Sequence, residues 1–145
     1  MVVGYGGMSE QSVLIVEDDL LVAMDIEDVL TRAGYRVCGV AVSQAEAIAM
    51  ADRAPPDFAV VDISLSPGDG RVVARELWRR HRTSVLFASG QCDEVRGLEH
   101  SGAMACLPKP YQAECVPAAL QAVAEIRAGR PRPAMPDNMF PLRAA

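Results

Sequence analysis

The chain has 145 residues, half of them apolar, and a formal net charge of −5. This length suits one globular domain with a small remainder, and the composition excludes a disordered chain. The acidic balance argues against nonspecific nucleic-acid binding, which needs clustered Lys and Arg side chains. No apolar run approaches the ~18 residues that span a membrane, and the N-terminus lacks a signal-peptide pattern. We expect a cytoplasmic protein that binds neither DNA directly nor a membrane.

The chain has four cysteines, which are Cys38, Cys92, Cys106 and Cys115. Their spacing contains no CxxC pair. With only two histidines beside them, they form no zinc-binding pattern. We therefore predict reduced thiols, as is usual in the cytoplasm. Cys106 in particular is predicted to be a small buried hydrophobic residue and not a redox sensor.

Short apolar runs alternate with helical patterns from residue 12 onward. The predicted strands cover 12–16, 35–41, 58–63, 84–89 and 103–108. The predicted helices cover 19–33, 44–53, 71 to about 82, 92–100 and 112–128, and a turn-rich loop covers 64–70. The third strand is apolar almost throughout, which indicates burial on both faces of a parallel sheet. The alternation predicts an α/β fold, a doubly wound five-stranded parallel sheet with right-handed crossovers.

Both ends of the chain differ from this pattern. Residues 1–11 are predicted to be a flexible leader because they are rich in Gly and polar residues. The domain is predicted to cover residues 12–128. Prolines punctuate residues 129–145, so we expect an extended or disordered tail that is too short to form an output domain.

Polar residues follow the predicted strands at the points where they end. Glu17 and Asp18 follow the first strand, Asp62 ends the third, Ser89 ends the fourth and Lys109 follows the fifth. In open α/β sheets these ends line the ligand site. Clustered carboxylates suit Mg²⁺, which would neutralise them. A carboxylate beside a metal ion and a lysine can also act as a nucleophile towards phosphorus.

The acidic run after the first strand has a simpler alternative explanation. Asp18 or Asp19 would cap the first helix, where the helix dipole favours negative charge. Asp62 and Lys109 at matching strand ends favour the ligand site instead, because capping alone does not explain them.

Four motifs in order resemble the receiver domain of two-component response regulators over roughly residues 12–127: "VEDD", "VVDISL", "FASG" and "LPKPY". The resemblance implies a flavodoxin-like (βα)5 fold and phosphorylation of Asp62 by a histidine kinase. It implies that Mg²⁺ is held by Glu17, Asp18, Asp62 and the backbone carbonyl of Ser64. Ser89 would be the switch hydroxyl and Lys109 would pair with the phosphoryl group. Pro110 would follow Lys109 through a cis peptide bond.

The sequence departs from the family pattern at three positions. The first acid is Glu17 where Asp is commoner, and the switch hydroxyl is Ser89 where Thr is commoner. Cys106 occupies the strand-five position that often carries an aromatic switch residue. The "LFASG" motif resembles the Phe-Ala-Thr-Gly subclass of stand-alone receivers.

The leading hypothesis is a phosphoryl-accepting signalling switch that is not an enzyme beyond its own phosphoryl transfer and slow dephosphorylation. Its output would be a contact with a downstream protein or a phosphotransfer partner. The output face, which could also form a homodimer, would combine the predicted helix 92–100 with the fifth strand and the last helix. Alternatives are an aspartyl-phosphate phosphohydrolase, a non-phosphorylated pseudo-receiver and a flavin-binding module. Ser64 stands where such a hydrolase needs a second acid, and the acids after the first strand would repel a flavin phosphate.

Overall fold

A computed structural model describes residues 11–97, 101–131 and 133–142. The strands of these ranges are β1 (Ser12–Val16), β2 (Arg36–Ala41), β3 (Phe58–Val61), β4 (Ser84–Ser89), β5 (Ala103–Pro108) and β6 (Phe140–Pro141). The α-helices are α1 (Leu20–Arg32), α2 (Gln44–Arg53), α3 (Gly70–His81) and α4 (Val116–Arg127), and short 3₁₀ helices cover Cys92–Val95 and Ala113–Cys115. The predicted leader falls almost wholly on residues 1–10, outside these ranges.

The sheet has the strand order β2–β1–β3–β4–β5–β6. The first five strands pair in parallel, and β6 pairs antiparallel with β5. The predicted doubly wound parallel sheet is therefore confirmed for β1 to β5. Because β1, β3, β4 and β5 are neighbours, their carboxyl ends lie together at one edge of the sheet.

Helices cover both faces of the sheet, and a separate apolar core lies under each pair. On one face α1 and α4 contribute residues such as Leu30 and Leu120, and on the other α2 and α3 contribute Ala47 and Leu77. All four residues of β3 are buried, as its continuous apolar sequence predicted. Among the described helices the longest has 13 residues, and none has the length and apolar character to cross a membrane.

Ser43 is the N-cap of α2, and Glu46 supports this helix start from the first turn. The backbone N–H of Glu46 donates to the Ser43 hydroxyl at 3.2 Å, and the Glu46 carboxylate accepts from the Val42 N–H at 2.8 Å. The first bond satisfies a backbone N–H that the first turn of a helix leaves unpaired, and the second fixes the residue before the cap. The predicted cis bond between Lys109 and Pro110 is also present, and Ser66–Pro67 is a second cis bond.

The predicted helix over 92–100 is wrong for its described part. Only Cys92–Val95 is helical, as one turn of 3₁₀ helix, and Gly97 adopts a left-handed φ of +84°. Such a turn ends a helix, because glycine reaches this conformation without a steric penalty. Residues 98–100, which include His100, lie outside the described residues.

The tail that we expected to be extended or disordered is ordered at its last described residues, where it forms a short extended strand. Phe140 and Pro141 pair with Cys106 and Ala105 of β5, and the neighbouring side chains of Met139 and Leu142 are buried. The prolines of the tail gave no indication that the apolar residues near them could pair with the open edge of a sheet. The tail therefore covers β5, which would otherwise be an edge strand.

The prediction of four reduced cysteines is wrong for two of them. Cys92 and Cys106 form a disulfide with a Cα–Cα distance of 5.9 Å, whereas Cys38 and Cys115 are free thiols. The pair is 14 residues apart in sequence, so a search for closely spaced cysteines cannot find it. Cys106 is fully buried, as predicted, but it is crosslinked.

Candidate functional site

The parallel sheet itself places the candidate residues. The backbone N–H of Asp62 donates to the Val16 carbonyl, and that of Lys109 donates to the Ser89 carbonyl, both at 2.9 Å. These bonds extend the β1–β3 and β4–β5 ladders by one residue beyond the strands. Asp62 and Lys109 are therefore fixed by the backbone at the same edge of the sheet.

Lys109 joins the two buried carboxylates of the site. Its Nζ donates to Asp62 Oδ2 at 3.0 Å and lies 3.4 Å from Glu17 Oε1. The side chains of Glu17 and Asp62 are only 4% and 7% exposed. Two buried like charges repel each other strongly, and the ammonium group compensates both.

The pKa values of the site reflect this burial. Burial raises the pKa of Glu17 above its ordinary value, and the charge of Asp62 adds to this, while the hydrogen bond from the Asp19 N–H and the charge of Lys109 oppose it. Burial lowers the pKa of Lys109, but its hydrogen bond to Asp62 and the charges of Asp62 and Glu17 outweigh burial and raise the pKa overall. Lys109 therefore stays charged at neutral pH.

The three consecutive acids after β1 have different surroundings. Glu17 is buried beside Lys109, and Asp18, which is exposed, accepts a hydrogen bond from the Ser66 N–H at 3.0 Å. Asp19 is the N-cap of α1 and accepts from the N–H groups of Leu21 and Val22. The capping explanation thus holds for Asp19, and it leaves Glu17 and Asp18 for the site.

Three carboxylates could hold a cation together. One oxygen each from Glu17, Asp18 and Asp62 lie within 4.8 Å of one another. All three donors are hard oxygen ligands, and one of the acids is exposed to water, which suits the partly hydrated Mg²⁺ ion. The donor set therefore fits Mg²⁺.

The loop after β3 holds the other oxygen of Asp62. The Ser64 N–H donates to Asp62 Oδ1 at 3.1 Å, so Ser64 lies beside this carboxylate, and a role of its carbonyl as a metal ligand stays a prediction. The loop closes tightly at Gly70, whose N–H donates to the Ile63 carbonyl at 2.8 Å. A Cβ atom on Gly70 would lie 2.0 Å from the Asp62 carbonyl oxygen. Only glycine fits between α3 and this loop.

Ser89 lies at the same edge, and its hydroxyl is bonded to Gln91. The hydroxyl donates to Gln91 Oε1 at 3.0 Å and accepts from the Gln91 N–H at 3.1 Å. The side chain is fully buried. The structure therefore brings together Glu17, Asp18, Asp62 and Lys109, whereas Ser89 bonds to its own loop.

The sequence analysis missed several features around the site. Leu20, Leu21 and Met24 at the start of α1 are exposed apolar side chains. A cavity of about 430 Å³ lies between α1 and the segment after β5, and Lys109 and Tyr111 contribute to its wall. The Tyr111 hydroxyl is buried without a hydrogen-bond partner, and burial raises its pKa to about 12. The spacing of apolar residues on α1 gave no signal for the exposed group, because the helical period describes only the buried face.

Comparison with known proteins identifies the class. The response regulator receiver domain family matches residues 13–121, and the chain belongs to this family. Receiver domains are phosphorylation-based signalling switches of two-component systems, which act with histidine kinases and downstream partners.

Particular relatives support this assignment. The transcriptional regulatory protein PdtaR of Mycobacterium tuberculosis is 35% identical over 118 residues, which cover 79% of this chain and 58% of PdtaR. The chain therefore spans little more than half the length of that relative. The chemotaxis protein CheY of Thermotoga maritima is 31% identical, with 78% of this chain and 97% of CheY covered. The PhyR receiver domain of Erythrobacter litoralis has the same fold, with a TM-score of 0.74 at 21% identity over 90% of this chain and 99% of that one.

Proposed function

We propose that this protein accepts a phosphoryl group on Asp62 from a histidine kinase and signals through protein contacts. The observation that carries the proposal is the pairing of the buried Asp62 carboxylate with Lys109 Nζ at 3.0 Å, beside Glu17 and Asp18. A carboxylate in this position can attack phosphorus while a fixed cation stabilises the charge that develops on the phosphoryl oxygens.

The residues of the chain have distinct roles in this transfer. An Asp62 carboxylate oxygen attacks the phosphorus of a phosphohistidine, the phosphorus–nitrogen bond breaks, and the imidazole leaves. Lys109 then donates to a phosphoryl oxygen. Glu17, Asp18, Asp62 and the Ser64 carbonyl are the proposed ligands of Mg²⁺, which offsets negative charge around the phosphorus when it is bound. The Ser89 hydroxyl would leave Gln91 for the new acceptor oxygens.

Phosphorylation by acetyl phosphate in the presence of Mg²⁺ tests this proposal. We expect wild-type protein to be labelled with a stoichiometry close to one, and Asp62→Asn to remain unlabelled because the amide is not a nucleophile. Asp69→Asn is the matched control, because Asp69 lies in the same loop but its carboxylate binds Arg71. Labelling of Asp62→Asn at the wild-type level would refute the assignment. Rapid multiple turnover would support the phosphohydrolase instead, and loss of Mg²⁺ binding in Asp18→Ala tests the metal site.

The kinase would dock on the exposed start of α1. A phosphohistidine must come within bonding distance of Asp62, so the donor protein must cover this edge of the sheet. Leu20, Leu21 and Met24 are 57%, 76% and 62% exposed and follow directly after the acidic run. Apolar side chains that are exposed together often mark a protein interface. We place this encounter in the cytoplasm.

Two phosphoryl donors separate docking from chemistry. We expect Leu21→Asp to reduce transfer from autophosphorylated histidine kinases at least tenfold and to leave labelling by acetyl phosphate unchanged. Asp28→Ala serves as control, because Asp28 lies further along α1 in an exposed pair with Arg32, where such pairs contribute little. Equal loss with both donors would show that Leu21 supports the site and not the docking.

A further inference from the structure

The Cys92–Cys106 disulfide ties the loop after Ser89 to the neighbouring strand. Cys92 begins the 3₁₀ helix Cys92–Val95, and Cys106 lies within β5. Both side chains are buried, with 2% and 0% exposure. Only Gly90 and Gln91 separate the Ser89 hydroxyl from this covalent anchor.

The anchor limits the motion that phosphorylation would cause. Ser89 now bonds to Gln91 through both its hydroxyl hydrogen and its oxygen, so a turn of Ser89 towards Asp62 releases Gln91. No atom lies within 4 Å of a Cβ placed on Gly90, which leaves this residue room to move. With Cys92 crosslinked, the rearrangement stops at Gln91. With Cys92 free, it can continue into the 3₁₀ helix.

The segment beyond the anchor contacts the tail. The guanidinium of Arg96 lies 3.8 Å from the centre of the Phe140 ring, and Phe140 pairs with Cys106 across the β5–β6 ladder. Movement of residues 92–97 would therefore disturb β6. We call residues 92–97 and 139–142 the switch surface.

We propose that Cys92 and Cys106 form a reversible redox pair that decides whether phosphorylation of Asp62 reaches the switch surface. This inference rests on the proposed function. Disulfides in cytoplasmic proteins are usually transient and redox-sensing, and this one lies between the phosphoacceptor edge and the tail. A single turn of 3₁₀ helix is a weak element that can open.

The chemistry is a thiol–disulfide exchange with an external dithiol. One thiolate of the dithiol attacks a sulfur of the pair, the other cysteine leaves as a thiolate, and a mixed disulfide forms. The second thiol of the reductant then resolves it. Two electrons and two protons pass to Cys92 and Cys106, and the dithiol becomes a disulfide. Because both sulfurs are buried, this exchange requires the 92–97 segment to open.

The coupling must be reciprocal. If the disulfide opposes the phosphorylated conformation, then phosphorylation must favour reduction of the disulfide by the same factor. Wild-type protein can be prepared oxidised, or reduced with dithiothreitol, and each state checked by mass and thiol count. Beryllofluoride with Mg²⁺ serves as a phosphoryl mimic. We expect the reduced protein to bind it at least about fivefold more tightly.

Backbone amide shifts locate the response. In the oxidised protein we expect beryllofluoride to shift residues of the acidic site and the loop up to Gln91. In the reduced protein the shifts should extend over the switch surface. In a glutathione redox buffer, saturating beryllofluoride should raise the equilibrium ratio of reduced to oxidised protein by the same factor as the affinity change. Equal affinities and equal shift maps in the two states would overturn the proposal.

Variants provide a second, independent measurement. Cys92→Ala and Cys106→Ala should behave like reduced wild type without any reductant, whereas Cys38→Ala with Cys115→Ala should behave like the oxidised protein. Four free thiols that persist in oxidised glutathione would overturn the redox pair even if Asp62 is labelled normally. If Asp62 accepts no phosphoryl group in either redox state, the proposed function fails. If Asp62 is labelled equally in both states and the switch surface responds equally, only the redox proposal fails.

Discussion

Two regions of the molecule are stabilised by opposite kinds of interaction. One is the acidic edge, where the carboxyl ends of β1, β3 and β5 meet, and the other is the β5–β6 edge. At the acidic edge Glu17 and Asp62 are buried charges that depend on Lys109. At the other edge a disulfide and the apolar side chains of Met139 and Leu142 hold the structure. Added charge at Asp62 changes the first region directly, whereas covalent and apolar contacts do not respond to charge.

A signal that passes between the two regions must therefore cross from charged contacts to covalent and apolar contacts. Because a disulfide and apolar contacts respond little to a change of charge, we infer that a signal would reach the β5–β6 edge as a displacement of the chain. The end of β4 and the loop after it join the two regions through Ser89, Gly90 and Gln91.

Reduction of the disulfide should have the largest effect on stability. A crosslink that closes a loop of this size stabilises a protein by about 3 kcal/mol, mainly by restricting the unfolded chain, and here the sequence separation is 14. We expect urea denaturation with and without dithiothreitol to differ by this amount. The Cys38→Ala, Cys115→Ala double variant should show the same difference. A change below about 1 kcal/mol would indicate that the disulfide edge is held chiefly by apolar contacts.

Gly70→Ala should disrupt the acidic edge through packing alone. The new Cβ would lie 2.0 Å from the Asp62 carbonyl oxygen and 2.7 Å from the Ile63 Cα, so the backbone that carries Asp62 must shift. We expect a loss of about 2–3 kcal/mol in the free energy of unfolding and weaker Mg²⁺ binding. Gly90→Ala is the matched control, because its Cβ meets no atom within 4 Å, and its stability should stay within about 0.5 kcal/mol. Equal stabilities of the two variants would contradict this account of the loop.

Leu142→Ala should loosen the β5–β6 edge. Leu142 is 4% exposed, and its N–H donates to the Met104 carbonyl at 2.8 Å. Truncation of a buried leucine costs about 2 kcal/mol where the site can relax. Hydrogen exchange should show lower protection over residues 139–142, with Mg²⁺ binding unchanged. A parallel loss of metal affinity would show that the two edges are not separate.

Tyr111→Phe should have the smallest effect at neutral pH. The hydroxyl is buried without a partner, so its removal relieves a desolvation penalty and should stabilise the protein by up to about 1 kcal/mol. The wild-type phenol has a pKa raised to about 12 from 10. Ionisation of Tyr111 therefore leaves the free energy of unfolding unchanged below pH 10. As the pH rises from 10 towards 12 this free energy falls, because the phenol ionises in the unfolded chain before it ionises in the folded protein.

Phenylalanine cannot ionise, so the variant should lose less stability over this pH range. Urea denaturation from neutral pH up to pH 11 measures the divergence between the two proteins. Tyr35, whose pKa burial also raises, is present in both proteins and cancels in the comparison. A constant difference over this range would mean that the Tyr111 hydroxyl is hydrated in solution.

The sequence alone determined the parallel sheet and the residues that meet at its acidic edge. Continuous apolar runs such as Phe58–Val61 define buried strands, and residues that follow parallel strands must meet at one edge. Asp62 and Lys109 could therefore be brought together without coordinates. The same local information favoured Asp18 or Asp19 as a helix cap without choosing between them, and the structure assigned the cap to Asp19.

The β5–β6 edge, in contrast, could be found only from the tertiary structure. Local propensity favoured a longer helix, and it did not predict the single turn that Cys92–Val95 adopts beside β5, to which Cys92 is crosslinked. The disulfide joins residues 14 positions apart, and Phe140 pairs with Cys106 across more than 30 positions. Such contacts leave no periodic signal in the sequence, because they depend on which surfaces the folded sheet leaves open.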